Sequence, residues 1–440
     1  MDLRLGTLMV TPARDKRILM VAFHFPPQRG SSGVQRTLKF SRYLGGHGWQ
    51  PVVLSAHPRA YEHKGDDQLR DIPQDIVVHR AFALDSSRHL AVKRRYLSLL
   101  ALPDRWITWA LGAVPAGLRL IREHRPALIW STYPIATAHL IGLALHRLTG
   151  LPWVADLRDP MTDVDYPTRR SVRAAYSWIE KQTVKRADRV VFTTPGALAA
   201  YRKRYPELPP ERLVLIENGY DEENFSEAAS LASVAAKEAG GPLVLVHSGI
   251  IYPAERDPTV FFEALAALLQ EGRIGPETLQ IRLRAAVHED WLNGLIAQYG
   301  IASIVSLAPH VPYREALTEM LTADGLLVLQ GSSCNCQIPA KIYEYLRARR
   351  PVLALTDATG DTATTLRQAG IDTIGPLDER DGIMASLMDF VTRIQNGSAP
   401  LPSDEVVRAN SREARAARLA GLLDGLLAEK SAFAAKSLKA

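Results

Sequence analysis

Four short stretches hold the side chains equipped for chemistry. "SSCNCQIPAKIYEYL" (332–346) carries the only two cysteines, Cys334 and Cys336, followed by Lys341 and Glu344. "WVADLRDPMTD" (153–163) carries Asp156, Arg158 and Asp159, and "FPPQRGSSGVQR" (25–36) carries Gly30 and Gly33. "HSGIIYPAERDP" (247–258) carries Gly249 and Arg256.

The cysteines invite a metal or redox reading, and their spacing argues against both. One residue separates them, whereas paired zinc ligands are spaced more widely. Nor do they form the C-x-x-C of a thiol oxidoreductase. They read as small loop residues, with metal binding the minor alternative. Lys341 and Glu344 are more informative. Pro339 suits the opening of a helix, and residues three apart then share one face. A lysine in the first turn opposes the helix dipole, which makes sense where an anion binds. The plain alternative is a surface pair of about 0.2–0.5 kcal/mol.

Arg256 precedes Pro258 at a helix start, where a guanidinium meets a diphosphate bidentately or is simply solvated. Gly30 and Gly33 suit an anion cradle at a helix N-terminus or a tight strand-to-helix turn. They form neither G-x-G-x-x-G nor a Walker lysine pattern. That argues against a nicotinamide oxidoreductase. Asp156, Arg158 and Asp159 end a strand before a proline turn. Carboxylates there would orient substrate hydroxyls or stabilise positive charge developing on a sugar carbon. An Asp–Arg pair that orders the loop is the competing reading.

The elements that must position these loops are short apolar strands alternating with helices. "RILMVAFHF", "PVVLSA", "IVVHRA", "ALIWST", "PWVADL", "RVVFTT" and "RLVLIEN" come first. After "DEENFSEAASLASVAAKEAGGP", which lacks a strand signal, "LVLVHSG", "QIRLRAAV", "IVSLAPHV", "DGLLVLQG", "PVLALTD" and "IDTIGP" follow. Such alternation predicts α/β architecture with parallel, doubly wound sheets. The expected divisions are an N-terminal Rossmann-like domain at 1–220, a linker at 221–242 and a C-terminal Rossmann-like domain at 243–410. A helix is expected at 411–440, packing back on the first domain. Ligands of such sheets sit beyond the carboxyl ends of the strands, where all four stretches lie. Two such domains facing across a cleft would close over a substrate.

The 440 residues are 47% hydrophobic, enough for two cores. Two cysteines give no disulfide framework, which points to a reducing compartment. The first residues hold no apolar core of secretory-signal length, and no run approaches the roughly 20 apolar residues that span a bilayer. A formal charge of +6 favours anionic partners without choosing among them. Residues 87–125 mix Arg and Lys with Tyr96, Trp106, Trp109 and leucines. This stretch reads either as a contact for an anionic membrane, "KRRYLSLL" above all, or as an ordinary sheet-packed helix.

Taken together, the loops resemble the family 4 retaining glycosyltransferases of GT-B fold, in particular bacterial members that build surface polysaccharides. The likeness runs from about Lys16 to Asp357, through "FPPQRGSSGVQRTLKFSRYLGGHGWQPVVLS", "WSTYPIATAHLIGLALHRLTGLPWVADLRDP", "IENGYDEENF", "SGIIYPAERDP" and "IPAKIYEYLRARRPVLAL" in the family's order. The resemblance implies a nucleoside diphosphate sugar bound mainly by the C-terminal domain. Arg256 matches the family's diphosphate contact, beyond the strand-end Gly249. Ile250 stands where a second basic residue is common. Lys341 fits the "P-x-K" variant, and Glu344 matches the carboxylate that receives the ribose hydroxyls. Cys336 stands where the family places a first glutamate against the donor sugar. The resemblance therefore shifts sugar contacts to Asn335, Gln337 and the backbone around Ile338 and Ala340. Gly30 and Gly33 match the N-domain loop that approaches the diphosphate. Met161 replaces a tryptophan common after "RDP".

The resemblance implies a cytoplasmic enzyme, peripheral at the inner face of the plasma membrane. It would move sugar to a saccharide or lipid-linked acceptor with retention, without nucleic acid and with no cofactor or metal. Asp156, Asp159 and Arg158 would form its catalytic group. The alternatives are a nucleotide-sugar epimerase of the same fold and a non-catalytic nucleotide-sugar-binding subunit.

Overall fold

The computed structural model of the chain describes residues 16–29, 32–66, 68–91, 101–163, 166–232 and 240–437. The apolar runs form two sheets. The first contains β1 (Lys16–Val21), β2 (Trp49–Ala56), β3 (Val77–Ala81), β4 (Leu128–Thr132), β5 (Trp153–Arg158), β6 (Arg189–Phe192) and β7 (Leu213–Leu215). Their order is β3-β2-β1-β4-β5-β6-β7. The second contains β8 (Leu243–Ser248), β9 (Leu279–Arg284), β10 (Val305–Ala308), β11 (Gly325–Gln330), β12 (Val352–Thr356) and β13 (Ile374–Gly375), in the order β10-β9-β8-β11-β12-β13. Strand pairs β1–β2, β1–β4, β8–β9 and β8–β11 are all parallel.

These sequences make such sheets because helices cover both faces, so a strand is apolar at successive positions rather than alternate ones. Every residue of β11 is buried, as are Ile18, Leu19, Met20 and Val21 of β1. On one face of the second sheet Phe261, Phe262 and Phe390 enter the core. On the other, Ile342, Tyr343, Tyr345 and Leu346 come from the helix Lys341–Ala348. Strand order reverses between β1 and β4 and again between β8 and β11. Those reversals are the switch points at which doubly wound sheets open a crevice for ligands. The loops after β8 and β11 therefore flank one such point.

By internal contacts the chain forms two compact units. One comprises residues up to Leu157, Met161–Val190 and Leu419–Ala440; the other comprises Arg158–Pro160 and Val191–Arg418. The terminal helix Arg412–Ser437 joins the first unit from Leu419 onward. There Asp424 accepts hydrogen bonds from Lys16 Nζ at 2.7 Å and Trp49 Nε1 at 3.0 Å.

One sequence expectation is corrected here. The segment read as a linker contains the helix Glu222–Ala232. Phe225 and Ala228, three apart, bury one face in the second unit's core. Glu222 and Glu223 favour its N-terminus electrostatically, and Glu222 pairs with Arg347.

The basic stretch changes too. Tyr96 and "KRRYLSLL" lie outside the described residues. Trp109 belongs to the core, fully buried 5.7 Å from the Phe23 ring, and Trp106 Nε1 donates to the Ala60 carbonyl. Among the described residues no helix is long and apolar enough to cross a membrane.

Candidate functional site

In the second unit, β8 ends at Ser248 and the chain turns at Gly249 with φ +108°, a conformation that favours glycine. Beside it, the loop after β11 is pinned from below by Gln330, which sequence reasoning missed. Its buried side chain donates to the Cys334 carbonyl at 2.7 Å and the Gln337 carbonyl at 3.0 Å. Its oxygen accepts from Thr362 Oγ1 at 2.6 Å. A buried amide with both ends bonded fixes the loop where a flexible loop would blur the site.

The loop then displays its predicted residues unequally. Asn335 donates to Asp357 Oδ2 at 2.6 Å, Gln337 is exposed and Ile338 is buried in the core. Cys334 is buried and Cys336 exposed, and neither is in a disulfide; burial raises the Cys334 pKa. Among the described residues no group of three or more His, Cys, Asp or Glu is placed to hold a metal.

The helix begins at Lys341, two residues beyond Pro339. Lys341 Nζ lies 2.9 Å from His247 Nε2, and a Cβ on Gly249 would stand 3.6 Å from that amine. Burial, reinforced by Arg256, pushes the Lys341 pKa well below that of an ordinary lysine, with Glu344 opposing the shift. Arg256 donates to the Ile250 carbonyl at 2.6 Å and lies over the Tyr252 ring. Glu344 accepts from Tyr313 Oη at 2.7 Å. Burial raises the Glu344 pKa, against the pull of Tyr313, Arg412 and Lys341. A guanidinium, an amine and a carboxyl group thus gather at the β8/β11 switch point. That combination suits a diphosphate beside vicinal hydroxyls.

A cavity of about 580 Å³ lies in the same unit, with Glu255, Asp257, Gln330, Asp357, Leu377 and Glu379 in its wall. None of Arg256, Lys341 and Glu344 lines it.

The acidic group expected to be catalytic is split by its environments. Asp156 is fully buried at the end of β5. Arg36 grips both its oxygens, Nε to Oδ2 at 3.0 Å and Nη2 to Oδ1 at 2.8 Å, and Thr132 Oγ1 donates to Oδ2 at 2.8 Å. Closed off from solvent and paired with a buried arginine, Asp156 fits the structural role of an Asp–Arg pair that orders the strand end better than the catalytic one. Its partner is Arg36, not the neighbouring Arg158. His139, fully buried, feels the Asp156 charge but bonds elsewhere, its Nδ1 2.8 Å from Ser131 Oγ. Burial lowers its pKa to about 4, although Asp156 opposes the shift. Its imidazole is therefore neutral.

Arg158 is buried with φ +61°, strained for a residue with a side chain, and its carbonyl accepts from Thr193 N and Oγ1. Asp159 is half-buried, and its carboxylate makes no hydrogen bond or ion pair among the described residues. Gly33 is buried, its carbonyl accepting from Thr37 Oγ1 at 3.2 Å. Gly30 lies outside the described residues.

Sequence reasoning missed Arg36, His139, His247, Tyr313 and Gln330. Arg36 and Asp156 are 120 residues apart, and no local pattern joins them. His247 at a strand end beside a glycine turn was the one signal available.

Residues 31–219 match the family described as "Glycosyl transferase 4-like domain". No curated protein matches the chain significantly. Among solved structures, a sucrose-phosphate synthase from Thermosynechococcus elongatus superposes with a TM-score of 0.66 at 16% identity, covering 94% of this chain and 100% of that one. Anabaena Alr3699/HepE in complex with UDP-glucose gives 0.58 at 15%, covering 94% and 99%. A lipopolysaccharide outer core galactosyltransferase, WaaB in its apo form, gives 0.59 at 11%, covering 93% and 99%. At these identities the likeness shows a shared fold.

Proposed function

Starting from a chain that carries a glycosyl transferase 4-like domain within two Rossmann-like sheets of GT-B type, we propose that it transfers a sugar from a nucleoside diphosphate sugar to a saccharide or lipid-linked acceptor. Retention of configuration and a part in polysaccharide synthesis belong to the same proposal. So does work at the inner face of the plasma membrane, for which the basic sequence "KRRYLSLL" is the support. The observation that carries the reading is the β8/β11 switch point, where Lys341, Arg256 and Glu344 converge.

The diphosphate lies against Lys341 and Arg256, and Glu344 receives the ribose hydroxyls. As the bond between the anomeric carbon and the β-phosphate oxygen breaks, negative charge grows on the leaving diphosphate. Arg256, and Lys341 once the bound diphosphate has drawn a proton onto it, stabilise that charge. The acceptor oxygen bonds to the anomeric carbon on the face the diphosphate leaves, and the acceptor proton passes to the departing phosphate oxygen. Asp159, with an unengaged carboxylate, is the acid of the "RDP" turn suited to orient the acceptor. The sugar is held by Asn335, Gln337 and the loop backbone, since Cys336 offers no carboxylate.

The test is donor-dependent transfer by purified protein, with UDP-, GDP- and ADP-sugars offered alongside saccharide and lipid-linked acceptors. The anomeric configuration of the product is read by NMR. Arg256→Ala and Glu344→Ala should each lower kcat/KM by about tenfold or more. Unchanged rates in both variants would remove these residues from the site. Conversion of the donor alone, with the acceptor unmodified, would favour an epimerase or hydrolase.

A further inference from the structure

His247 has no place in the chemistry described so far, yet it is fully buried at the penultimate position of β8. Its Nε2 meets Lys341 Nζ at 2.9 Å, while Nδ1 is closed off from solvent without a hydrogen-bond partner. The contact to Lys341 is thus the hydrogen bond that orients the ring. The next residue is also fixed, since Ser248 N donates to Tyr345 Oη at 2.9 Å. The helix carrying Lys341 and Tyr345 is therefore tied to the end of β8 through two successive strand residues.

The charged groups around this contact are Arg256 from the loop after β8 and Glu344 from the helix. Burial, then Lys341 and Arg256, keep the imidazole from taking a proton. A neutral imidazole offers a nitrogen lone pair to an ammonium without adding charge, which a carboxylate in its place would not do. A carboxylate would neutralise the lysine and compete with an anionic ligand. A lysine stem left unheld would sample many rotamers and lose that freedom on binding.

We propose that His247 is a positioning residue, whose neutral imidazole holds the Lys341 amine at the Gly249 turn so that an arriving diphosphate meets that amine already in place. The diphosphate part rests on the function proposed above; the holding of Lys341 does not. A bound diphosphate draws a proton onto Lys341, so binding weakens as pH rises and that proton is lost.

The test reads Lys341 directly. Pulse acylation of amines at a series of pH values, followed by peptide mass spectrometry, gives the pH at which Lys341 is half-reactive. It is run on the unaltered chain, on His247→Phe and on His247→Gln, with and without UDP, GDP or ADP. Circular dichroism confirms that each variant is folded. In His247→Phe the ammonium loses its acceptor while the burial and Arg256 that disfavour it remain, so the midpoint falls further below that of an ordinary lysine. In His247→Gln the side-chain oxygen accepts the same hydrogen bond, and the midpoint stays near the original. Nucleoside diphosphate should protect Lys341, with affinity about tenfold weaker in the Phe variant, equivalent to about 1.4 kcal/mol. A midpoint unmoved by His247→Phe overturns the proposal whatever the nucleotides do. A moved midpoint with no protection by any nucleoside diphosphate upholds the His247–Lys341 contact and overturns the diphosphate reading.

Discussion

The Asp156 network and the Lys341 network both bring charged side chains to strand ends, and they treat charge in opposite ways. In the first, Arg36 and Asp156 are buried and neutralise one another through two hydrogen bonds. In the second, Lys341 is held by a histidine and Glu344 by a tyrosine, both neutral partners. Burial there shifts both groups away from their charged forms. A pair that cancels its own charge serves the fold. Groups held by neutral partners stay available to a ligand and cost stability while they wait for it.

The largest expected effect is on the closed pair. Arg36→Ala leaves Asp156 buried without its counter-charge and should destabilise the first unit by about 3–5 kcal/mol, read from denaturant unfolding. Joint replacement of Arg36 and Asp156 by apolar residues should recover much of that loss. A small cost for Arg36→Ala alone would erase the contrast between the two regions.

Lys341→Met should do the reverse, abolishing measurable nucleoside diphosphate binding while raising stability at neutral pH. The sign follows from linkage. A lysine whose pKa is depressed by folding binds fewer protons folded than unfolded, so its contribution to stability falls as pH drops below the ordinary lysine range. Methionine has no such penalty, and a gain of about 1 kcal/mol would appear as roughly 2–4 °C in Tm for a unit of this size.

Glu344→Gln sharpens the same point from the acid side. Its raised pKa means that the folded chain holds the proton longer than the unfolded chain. Stability should therefore decline as pH rises from the ordinary glutamate range through the elevated pKa. The Gln variant should flatten that slope in a series of melts. The smallest effect is expected at Cys336, whose exposed thiol should be replaceable by Ala within about 0.5 kcal/mol.

Much of the fold was legible because buried parallel strands have to be apolar at successive positions. "DGLLVLQG" and "PVLALTD" therefore announced β11 and β12. The donor roles of Lys341, Glu344 and Arg256 came from the family resemblance; spacing alone left a solvated Arg256 and a surface Lys341–Glu344 pair as the plain alternatives. The partners were not legible. Arg36 finds Asp156, and His247 finds Lys341, only after distant segments are stacked in a sheet, so neither pairing leaves a local trace. Asp156 and Asp159 look alike in "ADLRDP", yet one ends inside a strand and the other in the turn beyond it. Burial alone separates their roles. The helix Glu222–Ala232 was missed because its small polar residues hid an apolar face of only Phe225 and Ala228.

The central claim is that the β8/β11 switch point binds a nucleoside diphosphate through Lys341. Its most direct test is thermal unfolding of the unaltered chain and of Lys341→Met, each with and without UDP, GDP or ADP. The account predicts that one of these raises the Tm of the unaltered chain and leaves that of Lys341→Met in place, since a ligand stabilises only the form that binds it. Equal shifts in both proteins, or none in either, would contradict it.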